Sequence, residues 1–372
     1  MSLNEVCENH LRNLAEKSAL RSIPESPAGG MLDLAGNDYM GLARCRDELL
    51  AEFDRLTPRP AMTSSASRLL ASDQYYHTQL EQSLQKLYGK PALLFNSGYH
   101  ANSGCISALA SLPSTLLVAD KLAHASMIDG LVLSRSDFKR FRHNDMASLR
   151  RIVEQAAGRY EHLVVITESV FSMDGDLAPL KELVDLKREY PFMAIYLDEA
   201  HGFGTFGHRG LGLAEQERVL ADIDITVCTL GKAAASEGAF IIASQPVRDY
   251  LLNTARSFIF STALSPASAA YSRICVERLT RMKAERKRLH EIAGKLRDAL
   301  PPMASQSQIV PWIVGSAQRA LMVSARLREL GINALAIRRP TVPEGTERIR
   351  FSLNASLSDS DIHKLISAIK SL

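Results

Sequence analysis

From about Asp47 to Pro266 the chain alternates between helical stretches and short apolar runs that stop at polar residues. The runs are Ala92–Phe95, 115–119, 162–167, 192–197, 223–229 and Ala239–Ala243. Short runs spaced by helices predict a mostly parallel sheet with helices on both faces. The last run ends in Ser244-Gln245, without residues suited to chemistry, and reads as an antiparallel addition. Ahead of this region, Leu11 and Leu14 among polar residues predict a short amphipathic helix, which Pro24, Pro27 and Gly29-Gly30 break.

Beyond Pro266 the pattern changes. A long charged helix, an apolar run at 308–314, a helix over 316–330 and a strand over 348–353 are expected. Ser358 and Asp361 form a capping-box signature ahead of Ile362, Leu365, Ile366 and Ile369 at one-face spacing, which announces a final helix. The expected organisation is an arm at 1–46, a large α/β domain at 47–266 and a smaller α+β domain at 267–372.

Composition narrows the function classes. The chain has 372 residues, 46% of them hydrophobic, enough to bury a large core. With 44 basic against 41 acidic residues, the net charge of +3 gives no electrostatic case for nucleic acid or an anionic membrane. Lys283, Arg286, Lys287 and Arg288 read as a solvated helix face. The amino terminus lacks the apolar core of a signal peptide, and no apolar run is long enough to span a bilayer, so a cytoplasmic location is expected. Cys7, Cys45, Cys105, Cys228 and Cys275 lack metal-ligand spacing and read as reduced thiols, with no metal site.

The candidate chemistry lies at the ends of the apolar runs. Lys232, in Thr229-Leu230-Gly231-Lys232, presents one amine among small neighbours just past a strand. A lysine in a tight, partly desolvated turn can form a Schiff base with a carbonyl. Asp198, in Asp198-Glu199-Ala200-His201, ends the preceding run. A carboxylate there needs a fixed cation or donor, and the ring nitrogen of pyridoxal phosphate (PLP) would be one. Phe95-Asn96-Ser97-Gly98-Tyr99 joins a strand to a helix start, where backbone N–H groups and the helix dipole suit a phosphate. His124 follows another strand and reads either as a ring-stacking group or as a structural hydrogen-bonder. Ser172 reads as a donor to a phenolate oxygen or as part of a polar turn.

Two other motifs mislead. Gly202-Phe203-Gly204-Thr205-Phe206-Gly207 matches a dinucleotide fingerprint but does not directly join a strand to a helix. Asp198-Glu199-Ala200-His201 spells a helicase box, yet no Gly-Lys in the chain is followed by Ser or Thr as a phosphate loop requires.

Taken in order, these segments resemble the α-oxoamine synthases, fold-type I PLP enzymes of the aminotransferase class I/II fold. The likeness runs from about Leu32 to the end. Asn37-Asp38-Tyr39-Met40-Gly41-Leu42, Ser67-Arg68-Leu69, the run from Asp120 to Ser126, Arg142-His143-Asn144-Asp145 and the run from Glu168 to Asp176 all fall in family order. The segment from Phe258 to Pro266 is most similar to that of the 8-amino-7-oxononanoate synthases, acyltransferases of biotin biosynthesis.

The resemblance implies that Lys232 carries PLP, Asp198 holds its pyridine nitrogen, and His201 and Ser172 bracket its ring oxygen. It further implies that His124 stacks on the ring, and that Gly98, Tyr99 and Thr229 serve the phosphate. Arg350, with Asn37, would take the amino-acid carboxylate, and Arg348 is the weaker candidate. An amino acid and an acyl thioester as substrates, L-alanine and a pimeloyl thioester of coenzyme A or a carrier protein by the 8-amino-7-oxononanoate synthase likeness, and a homodimer with a shared active site, are implied likewise. The chain departs from the family pattern at Thr63-Ser64-Ser65-Ala66, Asp73, Leu211 and Ala234-Ala235-Ser236-Glu237. Glycine or serine in place of alanine, other acyl groups, and a non-catalytic role stay open at this point.

Overall fold

The structure, a computed structural model, describes residues 1–24 and 29–372. Pro27, expected to help break the first helix, lies outside the described residues. The chain forms two compact units: residues 38–172 with 176–287, and residues 1–37, 173–175 and 288–372. These limits differ from the expected 46/47 and 266/267. The helix Pro266–Arg281 packs on Tyr75–Tyr88 and Arg46–Leu56, and so belongs with the sheet.

The larger unit is built on a seven-stranded sheet in the order Ala92–Phe95, Ala239–Ala243, Ile225–Thr229, Met193–Asp198, His162–Glu168, Thr115–Asp120, Phe138–Phe141. Ala239–Ala243 is antiparallel to both neighbours. It lies inside the sheet rather than at its edge, and all five of its residues are buried. Phe138–Phe141 was not legible as a strand because its middle residues are Lys139 and Arg140. It is an edge strand with one partner, and only Phe141 is deeply buried.

Leu93, Phe95, Leu117, Ile166, Tyr196, Val227 and Ile241 belong to one apolar cluster on the sheet. Against it lies Gly98–Leu109, which also packs on Ala125–Ser134. Met146–Ala156 buries Leu149, Val153 and Ala156, four and three residues apart, the spacing of a single helix face.

The predicted long helix after Pro266 is two helices, Pro266–Arg281 and Lys283–Asp298. The break corrects the reading of Arg286 as solvated. Arg286 is 4% exposed and donates to the carbonyls of Leu279 at 2.7 Å, His208 at 2.9 Å and Thr280 at 3.3 Å. The carbonyls that end a helix lack intrahelical donors, and this guanidinium supplies them.

The smaller unit contains an antiparallel sheet in the order Leu335–Ile337, Arg348–Ser352, Ile309–Ile313. The short strand Leu32–Asp33 pairs in parallel with Ile332–Asn333. Ser2 and Glu5 form a capping box on Leu3–Glu16, and Ser358 and Asp361 form another on Asp359–Lys370.

Candidate active site

Parallel pairing brings three polar strand ends together. In register, Asp198 stands opposite Glu168 on one side and Val227 on the other. Two residues past Val227 the strand ends at Thr229, and the chain turns. Leu230 and Gly238, Leu230 and Ser236, and Lys232 and Ala235 close this turn through backbone bonds of 2.9 Å. Ala233 and Ala234 are fully buried beneath it, so small side chains are what allow the turn to pack.

Lys232 is half-buried, and its Nζ lies 2.9 Å from His201 Nε2. The other ring nitrogen of His201, Nδ1, is 2.7 Å from the Tyr39 hydroxyl. Asp198 is 6% exposed. Its Oδ2 accepts from Asn102 Nδ2 at 2.7 Å and its Oδ1 from the Ala200 N–H at 2.7 Å. Asn102 in turn accepts from the Tyr196 hydroxyl at 2.8 Å and donates to Ser126 Oγ at 3.0 Å. Each partner fixes the next, so the carboxylate has a defined orientation.

His124 ends this chain of bonds. Its Nδ1 accepts from the Ser126 hydroxyl at 2.8 Å and the Ser126 N–H at 3.2 Å, which assigns the proton of the neutral ring to Nε2. Burial lowers its pKa; the Asp198 charge opposes this and the Lys232 charge reinforces it.

The helix Gly98–Leu109 starts beside this cluster. The Ser97 side chain accepts the His100 N–H at 3.2 Å and the Ser97 carbonyl accepts that of Ala101 at 3.0 Å. The N–H groups of Gly98 and Tyr99 lie in the same first turn, where no intrahelical acceptor exists. A Cβ at Gly98 would stand 2.6 Å from Thr229 Cγ2, so glycine lets the helix start approach the end of the lysine strand. The Tyr99 side chain points outward and bonds Asp129. Ser172 is half-buried in the turn after Phe171.

In the smaller unit, both terminal nitrogens of Arg350 lie 3.2 Å from Asn37 Oδ1, and Nη1 donates to Ser352 Oγ at 2.5 Å. Arg348 is taken up differently. It bonds Asp174 at 2.6 Å, the Met173 carbonyl at 3.1 Å and the Thr346 carbonyl at 2.9 Å.

These residues fit PLP. The larger unit offers an amine in a rigid turn, a carboxylate oriented by two donors on the neighbouring strand, and a twelve-residue helix start with a glycine cradle. Gly202–Gly207 holds no nucleotide fold: Gly204, Gly207, Gly210 and Gly212 all have positive φ in a run of turns, and no strand leads directly into a helix there.

Residues 30–369 match the aminotransferase class I and II family. The chain belongs to this family. It is 43% identical to 8-amino-7-oxononanoate synthase of Chlorobaculum parvum, over 100% of both chains. Its fold superposes on SPT, serine palmitoyltransferase, solved with a PLP internal aldimine. That match has a TM-score of 0.89 at 26% identity and covers 100% of this chain and 98% of the other. An 8-amino-7-oxononanoate synthase of Francisella tularensis matches with a TM-score of 0.75 at 27% identity, over 92% of this chain and 97% of that one. The chain is thus a PLP-dependent enzyme of the α-oxoamine synthase group, with the fold-type I architecture.

Several site residues escaped sequence reasoning: Tyr39, Asn102, Ser126, Glu168 and Tyr196. Asn102 carried a signal, since a polar residue on the apolar face of a buried helix needs partners. Glu168 is 3% exposed, and its Oε1 has no hydrogen-bond partner among the described residues. Burial raises its pKa strongly, the Asp198 charge adds to this and Lys232 opposes it. Two of the four departures from the family pattern have a defined local setting. Leu211 is fully buried, Ala235 adopts φ +46°, and Ser236 Oγ bonds Ser272 Oγ at 2.7 Å.

Proposed function

We propose that this α-oxoamine synthase joins L-alanine to a pimeloyl thioester of coenzyme A or a carrier protein. A carbon–carbon bond forms between the alanine α-carbon and the thioester carbonyl. The thiol leaves, the alanine carboxylate departs as carbon dioxide, and 8-amino-7-oxononanoate results. The carrying observation is the 2.9 Å contact of Lys232 with His201 beside the oriented Asp198. The full-length likeness to a protein of that name supports the substrates.

In this reading Lys232 holds PLP covalently and Asp198 holds its ring nitrogen. His201 and Ser172 take its ring oxygen, His124 covers its face, and Gly98, Tyr99 and Thr229 bind its phosphate. When bound, the cofactor supplies an electron sink for charge developing at the amino acid's α-carbon. Lys232 Nζ removes and returns the α-proton, with His201 Nε2 close enough to orient the amine. Asp198 would face the ring nitrogen, and Asn102 with the Ala200 N–H fixes its two oxygens. Arg350 pairs with the amino acid's carboxylate and Asn37 holds the guanidinium in place.

The working unit is taken to be a homodimer with a shared site, which sedimentation of the PLP-loaded protein tests. For the substrates, thiol release is measured with alanine, glycine and serine against acetyl, succinyl, pimeloyl and palmitoyl thioesters. Alanine with the pimeloyl thioester is expected to give the highest kcat/KM. Faster release with serine and palmitoyl thioester, or with glycine and acetyl thioester, would overturn the substrate assignment and leave the family unaffected.

A further inference from the structure

We propose that Tyr39 is a positioning residue that fixes the ring of His201 toward Lys232; this rests on the reading of Lys232 and His201 as cofactor-handling groups. The segment that carries Tyr39 is held by its own turns. The Asp38 carbonyl accepts the Gly41 N–H at 3.1 Å, Asp38 Oδ2 accepts the Ala43 N–H at 3.1 Å, and the Gly41 carbonyl accepts the Arg44 N–H at 3.1 Å. Gly41 takes φ 72°, a left-handed conformation that glycine adopts without strain. Tyr39, Met40 and Leu42 are all buried.

The hydroxyl therefore reaches His201 from a rigid base. It lies 2.7 Å from Nδ1, with ring centroids 5.9 Å apart at 54°. On the opposite edge of the imidazole, Nε2 is 2.9 Å from Lys232 Nζ. The His201 backbone is pinned separately, because its carbonyl accepts from Thr205 Oγ1 at 2.8 Å. Backbone pinning alone does not set the side-chain torsions, and the Tyr39 bond holds the ring at Nδ1.

A hydroxyl suits this task for a chemical reason. Neutral imidazole carries one donor and one acceptor nitrogen, and a phenol can serve as either partner. When the lysine amine donates to Nε2, Nδ1 holds the proton and donates to the tyrosine oxygen. When the amine offers its lone pair, Nε2–H donates to it and the tyrosine O–H donates to Nδ1. The ring keeps one orientation in both states. Phenylalanine would fill the same volume yet leave Nδ1 without this partner in a buried setting. Rotation of the ring would then be less opposed.

A double-mutant cycle tests this. Tyr39→Phe, His201→Ala and the double variant are loaded with PLP, and the cofactor's absorbance maximum, its Kd, kcat and KM are measured. Tyr39→Phe is expected to shift the absorbance maximum and to lower kcat about 10-fold, as loss of an outer-shell orienting bond does elsewhere. In the His201→Ala background the same change should add less than about twofold, because coupled residues are not additive. Full effects in both backgrounds, or none in the wild-type background, would overturn the proposal. If His201→Ala alone alters neither absorbance nor turnover, the reading of His201 falls with it, whereas Lys232 and Asp198 are tested separately.

Discussion

Gly98 and Thr229 approach so closely that a methyl group on the first would stand 2.6 Å from Cγ2 of the second. Helix start and strand end are thereby held at a separation only glycine permits. Gly98→Ala is expected to cost about 1–3 kcal/mol through overpacking and to weaken PLP binding roughly 10-fold. Thr229→Ser removes the opposing methyl group, so the pair Gly98→Ala with Thr229→Ser should regain most of the affinity. A PLP titration of the three proteins checks this, and failure of the serine to restore binding would show that the contact is not what matters.

Asp198→Asn keeps the size of the side chain but removes its charge. The carboxylate accepts from Asn102 Nδ2 and from the Ala200 N–H, and a carboxamide has one oxygen for two donors. PLP should still bind, while turnover falls roughly 10²–10³-fold, the scale seen when one aligned electrostatic group is lost. Turnover near the wild-type level would contradict the assigned role.

Arg350 and Arg348 lie on one strand but should behave differently. Arg350→Lys removes the planar fork that bonds Asn37 and is expected to raise the KM for the amino acid roughly 10-fold or more, with little change in thermal midpoint. Arg348→Gln leaves Asp174 without its cation and should destabilise the fold by about 3 kcal/mol, with the KM almost unaltered. Steady-state kinetics and thermal unfolding of both variants separate the two roles.

His143 bridges two carboxylates, with Nδ1 3.0 Å from Asp120 Oδ1 and Nε2 2.7 Å from Asp176 Oδ2. Burial pulls its pKa down, but the bonds and charges of Asp120 and Asp176 outweigh this and carry it up to about 10. A raised pKa means that the stabilisation is complete below about 6.5, the ordinary value, and is lost as pH rises through about 10. His143→Gln should cost about 2 kcal/mol at pH 6, discounted because 26% of the side chain is exposed. The gap between the two proteins in denaturant unfolding should narrow from pH 7 to pH 10.5. A constant gap would contradict the imidazolium assignment.

The sheet and its active edge were legible because buried parallel strands read as apolar runs and because their polar ends stand out. Asp198 and the turn that carries Lys232 thus stand out in the sequence as the ends of two successive runs, which pair as neighbouring strands. Phe138–Phe141 was hidden, since an edge strand need bury only one residue deeply. Arg286 read as solvated because nothing in the local pattern reveals that a helix breaks at Met282 and offers its carbonyls. The bonds that orient the site join residues far apart in sequence. Asn102 to Asp198 spans 96 positions and Tyr39 to His201 spans 162, and side-chain pairing over such distances leaves no periodic trace.

The most direct test of the central claim is to load the protein with PLP, reduce it with borohydride and map the modified residue by peptide mass spectrometry. The account predicts a single PLP adduct on Lys232 and none in Lys232→Ala, which should also be inactive. An adduct on another lysine, or an active Lys232→Ala enzyme, would contradict it.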